Sequence, residues 1–107
     1  MADKALSKGR DMAGKKVLIR ADRAGVFFGT LIALEYTAVG AIAVLAFSRR
    51  VHYWEGAASL SQVSQEGIKQ GRVAMIEPIK EVIGVIEVTP LSGAAIANLE
   101  NQPVWKV

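Results

Sequence analysis

Apolar residues along the chain fall into short, largely β-branched runs divided by glycines and polar pairs, the spacing of strands more than of helices. Gly14 precedes a first strand, Lys15-Lys16-Val17-Leu18-Ile19-Arg20. Ala24-Gly25 marks a turn or bulge, and Val26 to Glu35 forms a long second strand. Its internal Gly29 signals a bend or a close backbone approach. Thr37 to Gly40 reverses the chain, and Ala41 to Phe47 returns as a third strand that runs on to Glu55-Gly56. Ser59-Leu60-Ser61-Gln62 has the form of a capping box, and Gly67 closes the helix it opens after barely two turns. Lys69-Gln70-Gly71 makes a loop, Arg72 to Glu77 a fourth strand stopped by Pro78, and Glu81 to Val88 a fifth, buried on most of one face. Thr89-Pro90 supplies an N-cap and a first-turn proline to a helix from about Leu91 to Leu99, with Leu91, Ala95 and Leu99 at helical spacing. The tail, Gln102 to Val107, is too apolar to sit free in water and is expected to dock on its own domain or on a neighbouring subunit.

This order predicts a mainly β (α+β) fold: a small curved sheet or SH3-like open barrel of about five strands with two short helices. The predicted organisation is an N-terminal arm over 1–14, a small β domain over 15–90, and a C-terminal helix and docking tail over 91–107. The run from Leu31 to Phe47 has the greasiness of a membrane span. Glu35, Thr37 and Gly40 interrupt it, and it is shorter than the roughly 20 residues a bilayer needs, so a buried hairpin is expected and no membrane partner. The first apolar run begins only at Val17, which does not fit a signal peptide.

At 107 residues the chain has room for one hydrophobic core. It contains no cysteine, which excludes disulfides, thiolate metal sites and cysteine nucleophiles. The net charge of +3 is uneven: residues 1–23 hold seven bases against three acids, and the remainder holds six against seven. So sparse and acid-interrupted a set is poor support for duplex binding, which needs a continuous phosphate-tracking patch. His52 is the only histidine, and no DxD, HxxxH, GxSxG, P-loop or dinucleotide fingerprint is present. A non-enzyme without metal or cofactor is expected.

One segment concentrates recognition chemistry. Ser48-Arg49-Arg50-Val51-His52-Tyr53-Trp54-Glu55-Gly56 carries two guanidinium groups, the lone imidazole and two large rings. Strict alternation sends Arg50, His52 and Trp54 to one face and Arg49, Val51 and Tyr53 to the other. A face of cation, imidazole and indole suits a planar anion, whose base stacks while its phosphate meets the charge. The plainer reading is an edge strand with Tyr53 and Trp54 in the core and the arginines solvated. Arg20 and Arg23 flank the Ala24-Gly25 turn, which on a small barrel can approach the end of this strand. They join the candidate ligand set, against a plain reading as solvated strand-end charge. Of the adjacent Phe27 and Phe28 one faces inward, and the other, with Phe28 the candidate, lines a groove or a subunit contact. Ser59 could donate to a ligand at the helix start, against simple capping. Trp105 reads as an interface anchor rather than a ligand contact.

The pattern Ala24-Gly25-Val26-Phe27-Phe28-Gly29-Thr30-Leu31, followed by Arg49-Arg50-Val51-His52-Tyr53-Trp54-Glu55-Gly56-Ala57-Ala58-Ser59-Leu60-Ser61-Gln62, resembles a family of small proteins encoded mainly by tailed bacteriophages. The likeness covers roughly residues 15–90. The hairpin tip departs from it, because Ala33 to Ala46 is more apolar than the charged turn of the pattern, which favours assembly through this hairpin. The resemblance implies a phage accessory protein acting in the cytoplasm of the infected bacterial host. Within that class it points to a sponge of the anti-CBASS type, which sequesters a cyclic di- or trinucleotide immune signal without cleaving it. The expected assembly is a homo-oligomer, tetramer or dimer, formed through the 38–47 hairpin and the Trp105 tail. The alternatives are a virion structural protein (capsid decoration or head–tail component) and a single-stranded nucleic-acid-binding small barrel.

Overall fold

The structure, a computed structural model, describes residues 12–107. The predicted helix or loose arm at the N-terminus falls almost wholly outside that range. In chain order the elements are β1 (Lys16–Ala21), β2 (Gly25–Thr37), β3 (Gly40–Glu55), α1 (Leu60–Glu66), β4 (Gln70–Val73), β5 (Glu77–Pro90) and α2 (Gly93–Glu100). The fold is mainly β, with five strands in one antiparallel sheet and two short helices. The pairings β1–β2, β2–β3, β3–β5 and β5–β1 complete a circuit, and β4 lies outside it on the far half of β3.

Strand alternation divides the apolar residues between two cores. Val17, Ile19 and Ala21 of β1 point into the circuit with Phe27, Leu31, Ala43, Leu45, Val82 and Val85. Leu18 points out, and with Phe28, Val51, Val63, Ile68, Val73 and Leu99 it forms a second core beneath the helices. Phe27 and Phe28 are thus both buried, one in each core. Ala95 and Leu99 are fully buried, as their spacing predicts.

Gly29 makes the close approach expected of it. A Cβ there would stand 2.9 Å from both Cα and Cβ of Ser48. The β2–β3 register slips at this point: Phe28 pairs with Arg49 and Thr30 with Ala46, so Phe47 and Ser48 together face Gly29. Phe47 takes φ 51°, a left-handed conformation uncommon for a bulky residue, and its ring is exposed.

Three predicted boundaries are corrected. The fourth strand is Gln70–Val73 rather than Arg72 to Glu77, and Ala74 to Ile76 crosses to the next strand. Pro78 stops nothing, since β5 runs from Glu77 through it to Pro90. Pro78 lies opposite Phe47 between the Ala46–Ile79 and Ser48–Glu77 rungs, in the part of β5 that β1 does not reach, where an open strand edge tolerates a missing N–H. Thr89 and Pro90 belong to β5, paired with Leu18 and Val17, and the cap of α2 is Ser92, whose hydroxyl accepts from Ala95 N at 3.0 Å. The apolar run from Leu31 to Phe47 is a hairpin with its tip at Thr37–Gly40, and no described helix is long and apolar enough to cross a membrane.

Candidate functional site

A second irregularity on β3 decides which side chains can meet a ligand. Val51 pairs with Val73 and Tyr53 with Arg72, so His52 and Tyr53 together oppose Arg72. Such a bulge re-aims the side chains beyond it. Val51 and Trp54 both pack on the core beneath the helices, three residues apart, which strict alternation forbids. The bulge therefore turns Trp54 inward and brings Tyr53 outward beside His52. Trp54 is half-buried, and its Nε1 donates to Ala57 O at 3.2 Å. The predicted triad of Arg50, His52 and Trp54 on one face is corrected accordingly: Trp54 leaves it.

What assembles instead is a platform at the β3–β4 edge. The Arg72 guanidinium carbon lies 5.9 Å from the ring centroid of Tyr53 and 5.5 Å from that of Trp105. The His52 ring is 5.2 Å from Trp105, tilted by 55°. Tyr53 and Trp105 are each 49% exposed. Ion pairs among the described residues are Lys16–Glu100, Arg20–Glu87 and Lys80–Glu77, so Arg72 faces its rings with no carboxylate partner. Beside it a shallow recess of about 270 Å³ is lined by Tyr53, Glu55, Gln70, Gly71 and Arg72, with Gln70 Nε2 donating to Glu55 Oε2 at 2.9 Å. A guanidinium, flat rings and a carboxylate acceptor can between them bind a phosphate, stack a base and accept from its amino group.

Trp105 reaches the platform because the tail is tied down. Trp105 N donates to Val73 O at 2.8 Å, and Val104 bridges Val73 as a parallel rung. The anchor beneath is Arg49, which is 5% exposed. Its Nε donates to Ala74 O at 2.7 Å, Nη2 to Val73 O at 3.2 Å, and Nη1 to Gln102 O at 2.9 Å. Longer bonds reach Leu99 O and Pro103 O, both at 3.4 Å. Burial without a counter-ion holds the Arg49 pKa below the ordinary arginine value, by desolvation of the charged form.

The remaining candidates scatter. Arg20 pairs across the strands with Glu87 at 3.2 Å, both side chains about half exposed, so it is committed to a surface ion pair. Arg23 sits exposed in the β1–β2 turn at φ 65°. That turn does approach β3, because Ala24 lines the same small cavity as Arg50. Phe28 is 3% exposed in the core under the helices and cannot stack a ligand on the platform. Ser59 is spent on capping α1, accepting from Gln62 N at 3.2 Å, while Gln62 Oε1 accepts from Ala58 N at 2.8 Å. Arg50 lies over the Phe27 ring, 4.7 Å from its centroid.

The sequence reading did not single out Arg72, and it gave Trp105 an interface role. No local signal marks Arg72, a lone arginine in a short strand. A family model described as a domain of unknown function (DUF6948) matches residues 14–99. No curated protein and no solved structure matches the chain.

Proposed function

We propose that this chain, which belongs to the DUF6948 family, is a phage-encoded sponge that binds a cyclic di- or trinucleotide immune signal and holds it without cleaving it. The observation that carries the reading is Arg72, a guanidinium with no carboxylate partner among the described residues, set between the half-exposed rings of Tyr53 and Trp105 with His52 alongside. A base stacked on those rings and a phosphate on Arg72 use everything the platform offers, and sequestration by affinity asks for no nucleophile. The protein acts in the cytoplasm of the infected bacterial host, as a homo-oligomer.

A panel of cyclic di- and trinucleotides tested by thermal shift checks this reading. One of them raises the melting temperature of the purified protein and is recovered intact, by chromatography, after denaturation. Arg72→Ala and Trp105→Ala abolish the shift, whereas Trp54→Phe retains it. A panel without any shift, or a shift indifferent to Arg72→Ala, overturns the assignment.

A second reading, a virion structural protein, is favoured by a separate observation. Ile79 and Ile83 of β5 are each 65% exposed and flank Glu81 on one face of the strand, a pair of apolar side chains suited to subunit contacts. Mass spectrometry of purified particles separates the two, since only a virion component is found there.

A further inference from the structure

Arg49 and Arg50 are neighbours with opposite fates. Arg49 spends all three side-chain nitrogens on carbonyls. Arg50 has no ion pair among the described residues, and its Nε is shut away from water with no acceptor. A donor left so in a native fold calls for a specific account, such as an ion or ligand that completes its guanidinium's surroundings. Its guanidinium carbon lies over the Phe27 ring, 4.7 Å from the centroid, and Lys80 Nζ stands 5.8 Å from the same centroid. An anion placed beside Arg50 would meet both positive charges at once. Both line a cavity of about 210 Å³ at the end of the strand circuit, with Ala24, Phe27, Glu81, Val82 and Ile83. The acids nearby do not fill that role for Arg50. Glu77 is engaged with Lys80 at 2.8 Å. Glu81 pairs in register with Val44, while Lys80 pairs with Leu45 of the inner core, so the Glu81 and Lys80 side chains leave β5 on opposite faces.

We propose that this end of the strand circuit is an oxyanion site, in which Arg50 and Lys80 hold a phosphate group beside Phe27. The guanidinium offers its terminal N–H groups beside the ring, and the ammonium adds a point charge from β5. The incoming oxyanion takes Lys80 from Glu77, a partly exposed pair of the kind that contributes little. The site shares no residue with the Arg72 platform and does not rest on the sponge reading.

The probe is inorganic phosphate, titrated at constant ionic strength against chloride while the Arg50 Nε–H resonance is followed by NMR. In the wild-type protein that resonance moves saturably with phosphate and not with chloride. Lys80→Met, which keeps the apolar stem over Phe27, weakens binding by about tenfold, the loss of one charge-assisted contact. Glu77→Gln frees Lys80 and tightens binding severalfold. Arg72→Ala leaves phosphate affinity unchanged whether or not it abolishes a nucleotide shift. An Arg50 resonance that ignores phosphate overturns the proposal. So does a Lys80→Met protein that binds as well as wild type, or a site lost with Arg72.

Discussion

Three arginines within one sheet show how little residue type alone says about role. Arg49 is buried and gives its donors to the crossing after β4, the end of α2 and the tail. Arg50 lies on a ring at one end of the strand circuit, and Arg72 among exposed rings at the edge. Replacing Arg49 by Met keeps much of its volume but strands the partly buried carbonyls of Ala74 and Gln102, while Val73 O keeps its bond from Trp105 N. The expected loss is about 3 kcal/mol in chemical denaturation. The tail is expected to loosen with it, seen as a red shift of Trp105 emission in a Trp54→Phe background. Arg49→Lys restores neither property, since one ammonium cannot replace a fork that reaches several carbonyls. Part of this was legible in the sequence: alternation puts Arg49 on the face of Val51, which is buried. That carbonyls would meet it there depends on a tail some 50 residues later, and no local pattern reports that.

At the scale of the element, the two bulges on β3 account for most of what alternation misassigns. Strand identity and order follow largely from β-branched runs and glycines, which mark β1, β2, β3 and β5, whereas β4, Gln-Gly-Arg-Val, has no such run and lies earlier than its predicted place. A bulge adds one residue without changing composition, so the side on which Trp54 and Tyr53 emerge is not written in the period-2 pattern. The first bulge does leave a mark, because Gly29 is the residue that lets Ser48 come close. Gly29→Ala places a methyl 2.9 Å from the Ser48 backbone, and the strands must separate to admit it. Urea denaturation is expected to show a loss of about 1–3 kcal/mol. Gly93→Ala is the contrasting case. Its Cβ meets nothing within 4 Å at the first position of α2, so the better helix former is expected to gain a few tenths of a kcal/mol, up to about 1. Equal effects at the two positions would mean that the close β2–β3 approach is not what Gly29 serves.

For the molecule as a whole, two cores leave one face of the long hairpin uncovered. The helices shield the Leu18–Phe28 side, and nothing comparable among the described residues covers the opposite face of β3 and β5. Ile42 pairs with Ile83 and Ala46 with Ile79 across that face, with Glu81 opposite Val44 between them. An apolar sheet surface of this kind makes association with a second copy favourable, because each molecule brings the same row and a two-fold axis can superpose them. Ile83→Lys together with Ile79→Lys removes the apolar side chains on both sides of Glu81 without touching either core. Light scattering after size exclusion is expected to give an oligomer for the wild type and a monomer for the double variant, at an unchanged melting temperature for the isolated fold. A wild-type monomer removes assembly through this face. An oligomer that survives both lysines moves the contact to the tail side, where Trp105 would then serve a neighbour as well as a ligand.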